Sequence, residues 1–299
     1  MTGHGAHDAG LGLVAALGPG IVVAVPAVLA AALHLGAVRS LRTRRPWPLH
    51  RTVLWLAGTT LVAASAVGPL AVRAHEDAVA HMVVHLLVGM VAPMLLVLAA
   101  PTTLALNALA AVQARRLARI LRSRLARVVA HPVVATALHV GTMWLLYGTE
   151  AGRVALHDPV LHVLVLAHLV ATGSLFTWSL VGVDPAPHRP RLAVRVGALV
   201  LAGAAHRILA VQLYGDAAVG ASVAESQTAA RVMSAGGDVV ELALAVVLFG
   251  QWYRRRVAAD HRARGTLGRD ARRGAAGGGA AGGRAAGARA AGGRAVATS

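Results

Sequence analysis

Long apolar runs, each about the length needed to cross a bilayer, recur along this chain and constrain its fold more than any other feature. A transmembrane helix needs about 20 predominantly apolar residues. Seven such runs are read, at roughly 11–35, 52–73, 79–100, 132–150, 159–182, 192–214 and 228–252. They are rich in alanine, leucine and valine and do not alternate with polar residues, so they predict helices and not strands. Pro26, Pro69 and Pro93 fall inside these runs, where a proline is expected to kink a membrane helix without ending it. Composition agrees. Of 299 residues, 57% are hydrophobic and 14% charged, against about a quarter charged in soluble domains. An ordinary soluble enzyme of this size has too little interior to hide that apolar surface. The expected fold class is therefore all-α and polytopic, with seven transmembrane helices.

The basic residues, all of them arginine, sort by loop. Arg39, Arg42, Arg44, Arg45 and Arg51 lie in 36–51. Arg115, Arg116, Arg119, Arg122, Arg124 and Arg127 lie in 101–131, and Arg189, Arg191 and Arg195 in 183–195. The segment after 253 opens with Arg254, Arg255 and Arg256. The alternate connections hold His75, Glu76 and Asp77, then Glu150, Arg153 and Asp158, then Asp216 and Glu225. The positive-inside rule then predicts the amino terminus outside and the carboxyl terminus in the cytoplasm. Three regions follow: a short extracytoplasmic stretch at 1–10, a transmembrane domain at 11–252, and a cytoplasmic tail at 253–299. Residues 1–10 carry no positive n-region, so no cleaved signal peptide is expected. The tail is almost wholly Arg, Gly and Ala from 265 onward, a composition that favours disorder.

The formal net charge of +17 would suit a nucleic-acid partner. Its concentration in alternate loops and the carboxyl-terminal segment points instead to the lipid bilayer, and no nucleic-acid partner is expected. Segment 112–129 sets Leu117, Ile120, Leu121, Leu125 and Val128 against a face of arginines. It is read either as a helix on the cytoplasmic membrane surface or as a solvated connecting helix. The chain has no cysteine and no lysine, which excludes disulfides, thiolate metal sites, cysteine catalysis and Schiff-base chemistry. No nucleophile with its base, phosphate loop or cofactor fingerprint is present, so the chain is not expected to be an enzyme.

Polar residues inside membrane spans are costly and mark function. His81 lies near the outer surface of the third span, with His85 roughly 9 Å deeper into the bilayer. His162 on the fifth span is roughly 5 Å deep, and His206 on the sixth roughly 12 Å below Tyr214. The i, i+4 spacing puts His81 and His85 on one helix face, with Met82 beside them. Imidazole with thioether suits copper, methionine favouring Cu(I). The alternative is a set of imidazoles that hydrogen-bond between helices. Zinc also accepts histidines but does not account for Met82; Met90 and Met94 are read as packing residues. His162 and His168, six apart, diverge by roughly 120° around their helix, so at most one joins a shared site. His139, in the inner half of the fourth span, is read as structural. Asp238 and Glu241 share a face of the seventh span, opposite Arg207 on the sixth, and an Arg207–Asp238 pair is expected. It is either a structural pair or part of an ion path. Removal of Met1 would leave Thr2-Gly3-His4, a sequence that suits square-planar Cu(II).

Several blocks resemble one family. His81-Met82-Val83-Val84-His85-Leu86-Leu87, then Met90-Val91-Ala92-Pro93 and the run through Ala100-Pro101, resembles the signature of CtaG-type cytochrome c oxidase assembly factors. The blocks from Leu161-His162 through Phe176-Thr177-Trp178-Ser179 to Asp184-Pro185, His206 itself, and Gly237-Asp238 through Gln251-Trp252 resemble it in the same order. The similarity covers most of residues 50–255. It departs at Val84, Met94 and Ala99, where the family commonly has glutamine, proline and glycine. The resemblance implies a non-enzymatic protein of the bacterial plasma membrane whose partners are cytochrome c oxidase subunits. It also implies a part in delivering or inserting copper from the outer face, with His81, His85, His162, His206 and Asp238 at family positions. A copper or proton transporter, with Arg207, Asp238 and Glu241 on its path, is the competing reading. The third is a receptor or scaffold.

Overall fold

The computed structural model describes residues 4–43, 46–74, 76–184, 189–215 and 222–292, and these contain helices and no strands. In chain order the helices are α1 (His4–Leu41), α2 (Leu49–Ala66), α3 (Pro69–Ala74), α4 (Ala78–Leu86), α5 (Ala92–Leu98), α6 (Pro101–Ala108) and α7 (Ala111–Leu121). They continue as α8 (Arg124–Val129), α9 (Pro132–Gly148), α10 (Glu150–His157), α11 (Pro159–Val181), α12 (Leu192–Gly215) and α13 (Val223–Gly292). A π-helical turn, Leu87–Val91, joins α4 to α5. Helices are the form an apolar run takes in lipid, because no water is present to satisfy the backbone.

Among the described residues, five stretches are long and apolar enough to cross a membrane: Gly20–Leu41, Ala78–Leu98, Val160–Val181, Leu192–Gly215 and Val223–Arg262. The other two expected spans, α2 and α9, are helices of 18 and 17 residues. Pro69 does not kink the second span as the sequence reading expected. α2 ends at Ala66, Gly68 turns the chain at φ +115°, and Pro69 begins the separate helix α3. A left-handed glycine followed by a proline lacking its N–H stops a helix more firmly than proline alone. α13 runs on through Gly292, across the stretch whose composition favoured disorder.

Several helix starts are capped by acidic side chains. The Asp77 carboxylate accepts from the amides of Val79 at 2.7 Å and Ala80 at 3.1 Å. The first amide of α4, Ala78, donates to Glu225 at 3.0 Å and so ties α4 to the first turn of α13. Asp158 caps α11 through Val160 and Leu161, both at 2.9 Å. At the opposite end of the bundle Asp184, itself buried, accepts from the Thr103 amide at 2.7 Å and from the Thr103 hydroxyl at 2.6 Å, fixing the start of α6. These side chains supply acceptors for otherwise unpaired N–H donors of the first turns.

The chain divides into two compact units, 1–248 and 249–299. In the first, α2 packs between α1 and α5, α11 packs on α5 and the π turn, and α9 packs on α11 and α12. Pro93 has no N–H to give the Gly89 carbonyl, and the backbone widens just before it, with the Ala92 amide bonding the Leu87 carbonyl. Gly173 on α11 lies against that same Gly89 carbonyl, where a Cβ would overlap it. A small residue at the crossing lets two helices approach closely, the usual basis of packing in lipid. In the second unit, the Arg256 guanidinium lies 5.8 Å over the Trp252 ring.

Candidate polar site in the helical bundle

The start of α4, the end of α9, the start of α11 and the facing surfaces of α12 and α13 carry the polar residues singled out from sequence. His81 and Tyr147 share a hydrogen bond of 3.1 Å between Nε2 and the phenol. The rings of His81 and His162 lie 6.5 Å apart, so α4 and α11 do bring these two together. One turn deeper, His85 is 3% exposed and its ring stands edge-on to Tyr147 at 5.4 Å. Neither ring nitrogen of His85 has a hydrogen-bond partner among the described residues. Tyr147 thus touches both members of the i, i+4 pair. Sequence reasoning missed it, although a tyrosine near the outer end of a span is a signal that a hydroxyl needs a partner.

Met82 packs in a buried cluster with Met143 of α9 and Met233 of α13, alongside Leu209, Ala210 and Ala229. Methionines from three helices therefore share one buried cluster where one was read from sequence. Met90 and Met94 pack in the adjoining apolar core.

His206 is housed by α13. A Cβ on Gly237 would overlap the His206 ring, and a Cβ on the neighbouring Gly236 would overlap Leu86 of α4. The two glycines thus let α4 and α12 meet one turn of α13, bringing the helix turn that carries His85 towards His206. The fit is reciprocal, because Gly203 of α12 leaves room for the Glu241 carboxylate. Glu241 lies 4.0 Å from His206 Nδ1, while His206 Nε2 has no partner among the described residues. Beside this contact Arg207 is ion-paired with Asp238. That pair faces out of the bundle, its side chains 58% and 50% exposed. Arg231, not singled out from sequence, donates to the Tyr214 phenol at 3.1 Å.

Two other histidines have structural partners. His139 stacks on Phe176 with 5.5 Å between ring centres, and His168 shares a 2.8 Å hydrogen bond with Thr142. Thr2 and Gly3 of the amino-terminal motif lie outside the described residues. Among the described residues, no three His, Asp or Glu side chains are grouped closely enough to hold a metal ion. His81, His85, His162 and His206 therefore do not form one closed shell. They form the pair His81–His162, bridged to His85 by Tyr147, and His206 against Glu241.

The cytochrome c oxidase caa3 assembly factor family matches residues 32–255, an interval that holds every residue of this site. The chain belongs to that family. Uncharacterized proteins of Mycobacterium leprae and Mycobacterium bovis are each 29% identical to this chain over 203 residues, covering 64% of it. The match spans 30% of the length of each of those relatives. No solved structure matches. The family membership is thus joined to five helices that are long and apolar enough to cross a membrane.

The Arg207–Asp238 pair gives a direct prediction. Arg207→Ala or Asp238→Ala alone strands a charge in the membrane, and the double variant removes both. Thermal unfolding of the purified proteins is expected to show coupling of about 0.5–3 kcal/mol, the double variant being more stable than the sum of the singles requires. Strict additivity would mean that the two charges act independently.

Proposed function

We propose that this assembly factor handles copper for cytochrome c oxidase at the extracytoplasmic side of the bacterial plasma membrane, as a non-enzymatic multi-pass protein. Copper is its cargo. The observation that carries this reading is His85: a fully enclosed imidazole with neither nitrogen hydrogen-bonded, one residue beyond Val84 and on the helix that bears Met82. A buried polar group without a partner costs about 1–3 kcal/mol. An arriving soft metal ion relieves that cost. Met82, Met143 and Met233 provide the thioethers that Cu(I) favours, and His206 Nε2 provides a second unengaged imidazole nitrogen. The separation of the histidines into small groups suits a transit path of few ligands per station better than a permanent site.

In this reading α2 and α9 also cross the bilayer, making seven spans. α2 packs against α1 and the stretch formed by the π turn and α5, and α9 packs against the longer α11 and α12. At 17 residues α9 is about 26 Å long, close to the hydrocarbon thickness. The alternation of arginine-rich and arginine-poor connections supports an outside amino terminus and a cytoplasmic carboxyl terminus.

Two measurements test the proposal. Purified protein loaded with Cu(I) is compared with His81→Ala/His85→Ala at equal folded yield. The double variant is expected to retain several-fold less copper, and equal retention in both would end the copper reading. His162→Ala and His206→Ala, made separately, then identify the further donor. For topology, a reporter active only outside the cytoplasm, fused to residue 299, is expected to be silent. A strong signal there would invert the orientation.

A further inference from the structure

The Arg207–Asp238 pair occupies a costly place. On α12, Arg207 lies about 12 Å from the Gly215 end and about 22 Å from the Leu192 end, well within a hydrocarbon core about 30 Å thick. Both side chains are at least half exposed on the outer surface of the bundle. Arginine alone can reach an interface by extending its stem, but this guanidinium is held at the Asp238 carboxylate, and aspartate is too short to follow it. The pair therefore stays at that depth and faces whatever surrounds the α12–α13 surface. Lipid chains offer no donors or acceptors there.

We infer that this surface is covered by a second copy of the same chain, with the Arg207–Asp238 pairs of the two copies set against each other. The argument is charge complementarity. Two copies with the same membrane orientation are related by a two-fold axis along the membrane normal, which preserves depth. Arg207 and Asp238 are in contact and so lie at one level. The axis therefore brings Arg207 of one copy opposite Asp238 of the other, giving a neutral square of alternating charges. A guanidinium has five donors and a carboxylate about four acceptor sites, so each group can serve two partners. The alanines one turn away, Ala204 on α12 and Ala235 on α13, are both exposed and leave room for a second backbone. Ile208 and Val211 on one helix, with Val239 and Leu242 on the other, form the exposed apolar flanks. The inference rests on α12 and α13 crossing the membrane and is independent of the copper reading.

The chain contains no cysteine, so a single introduced cysteine reports its own neighbours. Ile208→Cys and Val239→Cys, treated in native membranes with a short bismaleimide, are expected to give a cross-linked species of twice the chain mass. Val53→Cys on α2 and Leu145→Cys on α9 are equally exposed and are expected to stay monomeric. A charge-exchanged copy, Arg207→Asp with Asp238→Arg, then tests the contact itself. It is self-complementary, but against the unaltered chain it sets like charges together. Co-expressed under two tags with Ile208→Cys in both, mixed pairs are expected to fall several-fold below the statistical share of about half. Monomer at all four positions, cross-linking at all four, cross-links only to a different protein, or mixed pairs at the statistical share would each overturn the inference. If the exchanged copy fails to accumulate, the contrast between the two pairs of cysteine positions decides alone.

Discussion

Inside a bilayer no water is available to take up an unpaired donor or acceptor, and every polar side chain in this bundle has to be accommodated by another part of the protein. The architecture around α4, α12 and α13 follows from that constraint. Gly237 exists as a gap into which the His206 ring fits, and Gly203 as the corresponding gap for Glu241. Tyr147 supplies a hydroxyl to His81 and a ring edge to His85. Thr142 serves His168, and Phe176 stacks on His139. Ser65 Oγ, Thr136 Oγ1 and one nitrogen each of His34, His139 and His206 are also buried without a partner among the described residues, but in His85 both ring nitrogens are unengaged. The cost is tolerable where the residue has a ligand to receive, which is why the copper reading centres on it.

The same constraint shapes the backbone. Removing one amide with Pro93 leaves a carbonyl at Gly89 that the helix cannot satisfy in its normal register. The chain responds with the π turn at Leu87–Val91, immediately after His85, and with the close approach of Gly173. A π turn rotates everything before it relative to everything after it. The polar half of this span thereby acquires an orientation separate from its apolar half, so that His85 can face Tyr147 while Met90 and Met94 face the core.

Much of the fold was legible because length and hydropathy alone decide whether a stretch can cross a membrane. The third, fifth and sixth spans coincide closely with α4–α5, α11 and α12. What hydropathy does not register is conformation within an apolar run, so the break at Gly68 and the π turn were invisible to it. At the site, depth along each helix puts His81 and His162 at similar levels, and their rings lie 6.5 Å apart. Depth carries no information on rotation about the helix axis, which decides whether four histidines share one centre or form separate groups. Tyr147, Met143 and Met233 were missed because each is unremarkable in its own span and becomes notable only when neighbouring helices are set beside it. The outward aspect of the Arg207–Asp238 pair was hidden for the same reason, since sequence offers the pairing but not the side of the bundle it faces.

The central claim is that this family member serves the oxidase by supplying copper, with His85 on the route. It is tested most directly by the copper-to-haem ratio of cytochrome c oxidase purified from cells in which the chromosomal copy carries His85→Ala, at an unchanged level of the assembly factor. The account predicts oxidase protein and haem at their usual amounts with copper largely missing. Oxidase with its full complement of copper, or loss of the oxidase polypeptides themselves, would contradict it.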